Sequence, residues 1–502
     1  MSKILENIPT LLKNLLKQQI VVPLDILFAR RYAPKNFEKA FIFLAISSAL
    51  WRYGHPFLYL HERRITPSLS GVSEEDLYQG LKELPEGILS KLFVIDNQKI
   101  YLRSLYNMRV KLFQKLKLLS LATTLFPFPE KFPNSLSEIQ CRTLKEVSKS
   151  CFSIVCGGPG TGKTFLAIQF ILSLVKKNPK IRIAVVSPTG KVSSHFLQLL
   201  SHYDLPEGTI LVKTIHRFLQ EYAYYQFSVV DVLIVDEGSM VTFNLLYSLV
   251  QTLQGYSQEG VLQATSMIIL GDVNQLPPIG IGAGNPLQEL IDVFPNRTFY
   301  LKVSYRAKTE EIQNFSQAIL KRQLIPFTPL LKIDSAVKSF AKTFEQALSE
   351  PQTSLCILSP MRVGLWGYIN LNFLIHNELQ RCNPDLPIPI MISDRYETWG
   401  LFNGDTGMLY PKSQKLAFDR GISIDANIFS HYTYNYAMSI HKSQGSEYDE
   451  VIVILPKGSE VFESSLLYTA VTRAKHKISV WADAETLHKI IKKPRKHMLT
   501  RH

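Results

Sequence analysis

The fold is decided by residues 152–164, where the apolar run Phe152-Ser153-Ile154-Val155-Cys156 leads directly into Gly157-Gly158-Pro159-Gly160-Thr161-Gly162-Lys163-Thr164. A glycine-rich turn that leaves a strand aims successive backbone N–H groups at one point, where a polyphosphate accepts all of them. The lysine of such a loop reaches the β- and γ-phosphates, and the threonine hydroxyl holds Mg²⁺. Residues 165–175 continue in a helical pattern. We therefore expect a strand, a loop that binds a nucleoside triphosphate, and a helix, in that order.

Short apolar runs alternate with helical segments from about residue 134 onward, a pattern typical of a parallel α/β sheet. The runs are Phe152–Cys156, Ile181–Val186, Val229–Val235, Met267–Leu270, Leu355–Leu358, Val451–Leu455 and Ile478–Trp481. Polar motifs follow each of the first four runs, and open α/β sheets place their ligands at the carboxyl ends of the strands. The sequence predicts an α/β fold with its ligand site at those ends.

Three blocks are predicted along the chain. Residues 1–125 have helical patterns, and a segment with three prolines, Phe126–Pro133, separates them from the α/β region. That region divides into a first domain at 126–300 and a second at 301–502. Within the second, residues about 390–434 are rich in β and turn signals, and Asn403-Gly404 favours a type I′ hairpin turn. We expect a small β insertion there.

The composition indicates a nucleic-acid partner, because a formal net charge of +14 over 502 residues attracts polyanions. Five cysteines without a C-x-x-C pair argue against zinc, iron–sulfur and disulfide frameworks and fit a reducing compartment. The longest apolar stretch, Ala40–Leu50, is too short to span a bilayer, and the first residues have no signal-peptide pattern. We expect a soluble, cytoplasmic protein without a membrane partner.

Two carboxylates, Asp236 and Glu237, end the apolar run Val229–Val235. The first suits Mg²⁺ binding opposite Thr164, and the second suits orienting and deprotonating the attacking water. Gln275 follows the next run, and a neutral amide there can bind the γ-phosphate or the water without adding charge. We expect these side chains to meet at the phosphates.

Arg306 and Arg473 are candidates for stabilising the transition state, because a guanidinium pairs bidentately with the oxygens of a transferred phosphoryl group. Both lie in the second α/β domain and would have to close onto a nucleotide held by the first. Hydrolysis would then change the separation of the domains, and anything gripped by both would move.

Polar and basic stretches on both α/β domains suit contacts to a phosphate backbone. The residues that we predict to contact DNA are Thr189, Thr214, His216, His441, Ser443 and Gln444.

Taken in order, these motifs resemble those of superfamily 1 helicases, and most of all the RecD family, the α subunits of exodeoxyribonuclease V. The segments that carry the resemblance are Gln140, Gly157–Thr164, Ser187–Lys191, Thr214–Arg217, Val235–Met240, Gly271–Pro278, Ser304–Arg306, Asn403–Asp405, His441–Glu447 and Tyr468–Lys475. Arg52–Pro56 and Ile100–Arg103 also look like the family's amino-terminal domain.

The resemblance implies two tandem RecA-like P-loop domains, a small helical amino-terminal domain and an SH3-like β insertion in the second RecA-like domain. It implies ATP-dependent 5′→3′ translocation on DNA, with ATP and Mg²⁺ as cofactors. Gln140 would contact adenine and Glu447 the ribose. Gln275, Arg306 and Arg473 would sense the γ-phosphate.

The resemblance also implies partners: single-stranded and duplex-end DNA, and RecB-like and RecC-like subunits of a helicase–nuclease that acts in double-strand break repair and recombination. Residues 1–125 carry apolar runs such as Phe41-Ile42-Phe43-Leu44 that need a cover, either from the motor domains or from another chain. We expect this block to dock on the RecC-like chain. We find no acidic cluster with a nearby lysine in nuclease arrangement, so cutting DNA would fall to a partner.

The chain departs from the family pattern in three places. Only Phe218–Val230 separates the Thr214 motif from the carboxylate strand, which puts a full strand-splitting β-hairpin in doubt. Gly238 stands where alanine is commoner, a difference expected to matter little. The amino-terminal block is also shorter than usual.

Two other functions remain open. A stand-alone RecD-like helicase usually carries a much longer amino-terminal extension. A subunit that binds ATP but mainly regulates a nuclease usually loses one of Glu237, Arg306 and Arg473.

Overall fold

The computed structural model of the chain describes residues 8–69, 71–124, 135–225, 230–253, 255–258, 261–303, 310–349, 353–393, 399, 401, 403–418, 421–429 and 431–493. The predicted linker Phe126–Pro133 lies outside these residues. None of the helices that the structure describes is long and apolar enough to cross a membrane.

The α-helices, in chain order, are α1 (Thr10–Lys17), α2 (Pro23–Tyr32), α3 (Glu38–Arg52), α4 (Glu74–Lys82), α5 (Glu86–Leu92), α6 (Arg103–Leu121), α7 (Glu138–Val147), α8 (Lys163–Lys177), α9 (Gly190–Leu200), α10 (Ile215–Tyr225), α11 (Phe243–Thr252), α12 (Pro286–Val293), α13 (Glu310–Leu320), α14 (Ile333–Ser349), α15 (Tyr368–Cys382), α16 (Ser464–Val471) and α17 (Ala484–Lys492).

The strands are β1 (Leu58–His61), β2 (Arg64–Thr66), β3 (Phe93–Asp96), β4 (Lys99–Leu102), β5 (Thr123–Thr124), β6 (Phe152–Gly157), β7 (Ile183–Ser187), β8 (Ile210–Thr214), β9 (Val232–Val235), β10 (Gly255–Gln258), β11 (Val261–Ala264), β12 (Ser266–Gly271), β13 (Thr298–Leu301), β14 (Thr328–Pro329), β15 (Leu355–Ser359), β16 (Ile388–Ile392), β17 (Thr406–Tyr410), β18 (Lys415–Phe418), β19 (Ile422–Asp425), β20 (Tyr432–Tyr434), β21 (Ala437–Ser439), β22 (Tyr448–Leu455) and β23 (Ala474–Ala482).

The chain forms two compact units. Unit 1 comprises Met1–Ala122, Met240–Leu262 and Pro277–Val293, and unit 2 comprises Thr123–Ser239, Gln263–Leu276 and Phe294–His502. The segments 240–262 and 277–293, which the sequence assigned to the first α/β domain, therefore belong to the same unit as the amino-terminal block.

Unit 2 contains two parallel sheets, which confirms the predicted α/β class. The first has the strand order β13-β6-β12-β9-β7-β8, and every pair in it is parallel. The second has the order β14-β23-β22-β15-β21 and is likewise parallel throughout. Side chains of the inner strands β9 and β12 are all buried, because helices cover both faces of such sheets.

We call the parts of unit 2 around the first and the second parallel sheet its first and second half. The second half carries the predicted β insertion as an antiparallel sheet of strand order β19-β18-β17-β16-β20. The predicted Asn403-Gly404 hairpin is wrong in detail. Gly404 has φ +94°, but Asn403 is not among the residues with positive φ, which a type I′ turn requires at both positions. The turn instead closes a longer connection between β16 and β17, and the Gly404 N–H donates to the Ile392 carbonyl at 3.0 Å.

Unit 1 combines the predicted helices with an antiparallel sheet that the sequence did not predict, of order β2-β1-β4-β3. Its core centres on α3, where Phe43 and Leu44 are fully buried and Phe41 and Ile42 pack against the same cluster. Unit 1 itself therefore covers this run, and docking of the amino-terminal block on the RecC-like chain stays a prediction.

The segment 277–293 is fastened to the amino-terminal block by backbone and charged contacts within unit 1. The Gly282 N–H donates to the Trp51 carbonyl at 2.7 Å, and the Gly284 N–H donates to the Gly54 carbonyl at 3.1 Å. On α6, Arg109 forms an ion pair with the half-buried Glu289 of α12. Burial raises the pKa of Glu289 to about 7 although the guanidinium opposes the shift, so this carboxylate depends on its partner.

Gly238 lies directly behind the carboxylate pair and is closely packed. A Cβ on this residue would lie 2.5 Å from the Ile269 Cγ2 and 3.0 Å from the Leu270 carbonyl oxygen of the neighbouring β12. The expectation that the glycine matters little is therefore wrong, because strand backbone in the middle of a sheet cannot move aside cheaply.

We expect Gly238→Ala to lower stability by about 1–3 kcal/mol, the usual cost of an extra methyl group in a packed interior. Gly87→Ala is the matched control: Gly87 lies in α5 with nothing within 4 Å of an added Cβ. The control should be neutral or stabilising by up to about 1 kcal/mol. Urea denaturation followed by circular dichroism measures both, and equal midpoints would contradict the packing at Gly238.

Candidate active site

The glycine-rich loop leaves the buried strand β6 and enters α8 as the sequence predicts. Gly160 and Gly162 have φ +73° and +80°, a backbone region that favours glycine. A Cβ on Gly157 would overlap the Thr161 hydroxyl and approach the Leu301 carbonyl oxygen to 3.1 Å. Helix α8 begins directly after this loop. The backbone N–H groups at its amino-terminal end are unpaired and favour an anion there.

The ammonium group of Lys163 is folded back onto the loop. Its Nζ donates to the carbonyls of Gly157 at 2.6 Å and Gly158 at 3.0 Å, and the Thr161 hydroxyl donates to the Gly158 carbonyl at 2.9 Å. These contacts hold a positive charge at the mouth of the loop, where the phosphates of a nucleotide are predicted to lie.

The carboxylate pair follows β9. Asp236 is buried, and its Oδ1 accepts a hydrogen bond from the Glu237 N–H at 2.9 Å. Burial and the charge of Glu237 raise the pKa of Asp236 to about 7, while Lys163 opposes the shift. A nearby cation therefore stabilises the charged form of the Asp236 carboxylate.

Glu237 adopts φ +52°, in the left-handed region that residues other than glycine rarely occupy. Its Oε2 is buried and accepts no hydrogen bond from any residue that the structure describes. Strained backbone and an unsatisfied buried carboxylate oxygen both cost stability and are concentrated at functional sites. The geometry thus leaves an acceptor in place for a water molecule.

The next polar motif brings a third carboxylate to the same place. Asp272 is buried, and it accepts hydrogen bonds from the Tyr468 hydroxyl at 3.1 Å and the Asn274 N–H at 3.0 Å. Burial raises the pKa of Asp272, and the charge of Lys163 opposes the shift. Sequence reasoning assigned no role to Tyr468. Its position on α16, five residues before Arg473 in the chain, could have indicated that it lies at the site.

Gln275 and Arg473 complete the group of buried polar side chains. The Gln275 Oε1 is buried without a hydrogen-bond donor among the described residues. Arg473 donates from Nε to the Thr469 carbonyl at 3.1 Å and from Nη1 to the Ser446 carbonyl at 3.3 Å. Burial lowers the pKa of Arg473, whereas the charges of Glu237 and Asp272 raise it, so the guanidinium faces these carboxylates.

Lys163, Asp236, Glu237, Gln275 and Arg473 line one cleft in unit 2 of about 950 Å³, a volume in the range of small-molecule sites. The predicted residues that line it are Pro159, Gly160, Gly162, Lys163, Thr164, Asp236, Glu237, Gln275, Glu447 and Arg473. Two lysines that the sequence analysis passed over, Lys191 and Lys475, also line it. Arg306 lies outside the described residues.

Gln140 has a structural role in α7. Its Oε1 accepts from the Ser137 N–H at 3.0 Å, and the Ser137 hydroxyl accepts from the Gln140 N–H at 3.3 Å, which together form a capping box. Gln140 is not one of the residues that line the cleft, so its contact with adenine stays a prediction.

The residues predicted to contact DNA fall into two groups. His216 is exposed at the start of α10, while Thr189 and Thr214 are half-buried and cap the first turns of α9 and α10. Burial lowers the pKa of His441, which is also half-buried. Contacts of these four residues with DNA stay predictions.

Ser443 and Gln444 are buried. The Ser443 hydroxyl donates to the Ile440 carbonyl at 2.7 Å, and the Gln444 Nε2 donates to the Leu276 carbonyl at 3.3 Å. The structure therefore gives no support to a direct DNA contact by these two side chains. In the same loop it is Lys442 that is exposed.

Two family models match the chain. Residues 140–281 match the AAA domain family, and residues 434–480 match the UvrD-like helicase C-terminal domain. The RecBCD enzyme subunit RecD of Buchnera aphidicola is 23% identical, over 97% of this chain and all of its own length. The RecD subunit of Mycolicibacterium smegmatis is 28% identical, over 66% of this chain and 69% of its own. The chain is a RecD-like superfamily 1 helicase.

A further relative of this RecD-like helicase is the ATP-dependent RecD2 DNA helicase of Deinococcus radiodurans, 25% identical over 88% of the chain but only 65% of the relative's length. Among solved structures, Pif1 helicase from Candida albicans is 18% identical, with a TM-score of 0.45 over 72% of this chain and 97% of its own. Bacteroides Pif1 in complex with ADP-AlF3 and single-stranded DNA is 17% identical, with a TM-score of 0.45 over 73% and 96%.

A Mg²⁺ ion fits the donors of the RecD-like cleft. The Thr164 hydroxyl and the Asp236 carboxylate are the oxygen ligands that Mg²⁺ prefers, and both line the cleft. The unsatisfied Glu237 Oε2 provides an acceptor for a water of the ion.

We expect Glu237→Gln to bind ATP normally and to hydrolyse it about 10²–10⁴-fold more slowly, because an amide can orient a water molecule but cannot take its proton. Glu485→Gln is the control, since Glu485 is exposed and far along the chain on α17. Phosphate-release assays and titration with a fluorescent ATP analogue separate hydrolysis from binding. Hydrolysis by Glu237→Gln within a few-fold of the parent rate would assign the proton transfer elsewhere.

Proposed function

We propose that ATP hydrolysis in this cleft drives 5′→3′ movement on single-stranded DNA, as the motor subunit of a RecBCD-type helicase–nuclease in double-strand break repair and recombination. One observation carries the proposal. Glu237, which follows a strand of the first parallel sheet, and Arg473, which directly precedes a strand of the second, face each other across a single cleft. A nucleotide there touches both halves, so its hydrolysis can change how they are held together.

Each side chain has a role that its position supports. Lys163 neutralises the β- and γ-phosphates, Glu237 accepts the proton of the attacking water, and Arg473 stabilises the charge on the transferred phosphoryl group. Mg²⁺ held by Thr164 and Asp236 would further neutralise the phosphates. Gln275, with its unpaired oxygen, is placed to respond to the γ-phosphate or the water.

The DNA partner is supported by charge and by exposed basic side chains near the polar strand ends. The net charge is +14, and His216, Arg217 and Lys442 are exposed. The 5′→3′ polarity rests on the likeness to RecD proteins. The free thiols of the described cysteines fit a cytoplasmic location.

The Buchnera RecD match supports a RecBCD-type subunit, because it extends over 97% of this chain and therefore includes the amino-terminal block. A purely regulatory subunit is disfavoured because Glu237 and Arg473 are both in place in the cleft.

We expect the purified chain to hydrolyse ATP faster with single-stranded DNA, and Lys163→Ala to abolish both rates, because the phosphates lose their main cation. Lys176→Ala is the matched control, an exposed lysine in the last turn of the same helix α8. Displacement of streptavidin from the 3′ end but not the 5′ end of an oligonucleotide tests the polarity. Normal ATPase in Lys163→Ala would contradict the site, and displacement from the 5′ end alone would contradict the direction.

We further propose that unit 1 docks on the RecC-like chain, through α2 rather than through the buried run in α3. Leu24 and Leu27, one helical turn apart on α2, are 62% and 41% exposed. Leu118 and Leu121 on α6 are also exposed, at 58% and 73%, but they adjoin the undescribed residues 125–134. The α2 pair is therefore the better candidate for contact with another chain.

We expect Leu24→Glu/Leu27→Glu to reduce co-purification with co-expressed RecB-like and RecC-like chains, because burying two carboxylates in an apolar interface is costly. The same change at Leu118 and Leu121 is the control and should leave the complex intact. DNA-stimulated ATPase of each free chain shows that the motor is unharmed. Undiminished assembly by the α2 variant would remove α2 from the interface without touching the motor assignment.

A further inference from the structure

Leu276 connects the two halves of unit 2, although its position in the sequence places it in the first half. It follows Gln275 in the first half, yet its side chain is buried in an apolar cluster built from the second half, with Leu466, Leu467 and Tyr468 among its members. A side chain held in a well-packed core cannot shift without the core that surrounds it. Leu276 therefore moves with the second half.

Both polar groups of the Leu276 backbone are held from that half as well. Its N–H donates to the Thr469 hydroxyl oxygen at 2.9 Å, and its carbonyl accepts from the Gln444 Nε2 at 3.3 Å. Thr469 is fully buried, and its hydroxyl in turn donates to the Ser465 carbonyl at 2.8 Å within α16. The hydroxyl thus both donates and accepts, which fixes its rotation and aims its lone pair at Leu276.

The held peptide adjoins two functional segments. Gln275, one residue upstream, lines the nucleotide cleft with an unpaired buried oxygen. Gln444 belongs to the loop 441–447, in which Lys442 is exposed and Glu447 lines the cleft. A change at the γ-phosphate that moves Gln275 must therefore pull on Leu276, and through it on Thr469 and Gln444.

We propose that Thr469 is a positioning residue whose hydroxyl fixes the Leu276 peptide, so that DNA bound at the second half sets Gln275 for hydrolysis. Thr469 touches neither nucleotide nor DNA in this arrangement; it acts through Leu276. The proposal deepens the proposed function and rests on it, because it concerns how DNA accelerates the ATPase. Coupling of this kind requires contacts that differ between the two states, and the proposal assigns that role to the two hydrogen bonds to Leu276.

The test compares Thr469→Val with Thr469→Ser. Valine has nearly the same shape but cannot accept the Leu276 N–H, whereas serine keeps the hydroxyl. We expect Thr469→Val to lower the ratio of ATPase rates with and without single-stranded DNA by about fivefold or more, the lower end of a typical coupling between sites. The rate without DNA and the affinities for a fluorescent ATP analogue and for an oligonucleotide should stay near those of the parent. Thr469→Ser should restore the ratio.

Gln444→Met, which removes the other hydrogen bond to Leu276, provides a second measurement should the valine variant fold poorly. It should also lower the stimulation ratio, and the double variant should be no worse than the more severe single one, because both act through one peptide. A parent-like ratio in both single variants, or equal losses in Thr469→Val and Thr469→Ser, would overturn the role of the hydroxyl. Absence of any DNA stimulation in the parent would instead overturn the proposed function.

Discussion

The rest of the site depends on the balance of buried charge at the carboxyl ends of the parallel strands. Asp236 and Asp272 are buried next to Lys163, and the buried Arg473 faces Glu237 and Asp272. Buried charges are stable only when they are paired and hydrogen-bonded, and these are only partly so. Because Arg473 comes from the second half of unit 2, the cleft is balanced only when both halves contribute. A phosphate with its metal ion changes that balance, which is the physical link between nucleotide chemistry and the arrangement of the halves.

A few buried hydrogen bonds link the charged groups of the cleft to the packing between the two halves of unit 2. Tyr468 ties α16 to the Asp272 carboxylate, and its hydroxyl oxygen would lie 3.2 Å from a Cβ on Gly158 in the phosphate loop. Thr469, the next residue, holds the Leu276 N–H. Helix α16 thus contacts both the Asp272 carboxylate beside the loop and the Leu276 peptide beside Gln275. The residues that follow α16 include Arg473, which supplies the guanidinium. Apolar packing alone would hold the halves together, but it would not make their contact sensitive to a proton or a phosphate.

Much of unit 2 could be predicted because inner strands of parallel sheets read as continuous apolar runs. The edge strands β8 and β13 were missed, since their partly exposed side chains break such runs. The phosphate loop and Asp236 were found because their chemistry fixes residue type and spacing. The hydrogen bond of Gln444 could not be predicted, because a polar residue in a motif can be buried against a backbone carbonyl as readily as exposed to DNA, and its partner Leu276 lies 168 residues away.

Unit 1 cannot be found by dividing the sequence into consecutive blocks, because it combines three separate segments of the chain. Its sheet strands have three or four residues each, too short for an alternating pattern, and Arg109 finds Glu289 only when α12 folds against α6. Replacing one partner of this half-buried ion pair would leave the other charge without its partner, so the pair favours the observed placement of the segment 277–293 within unit 1. That segment begins at Pro277, directly after Leu276. The peptide that Thr469 and Gln444 hold in unit 2 therefore directly precedes a segment of unit 1 in the sequence.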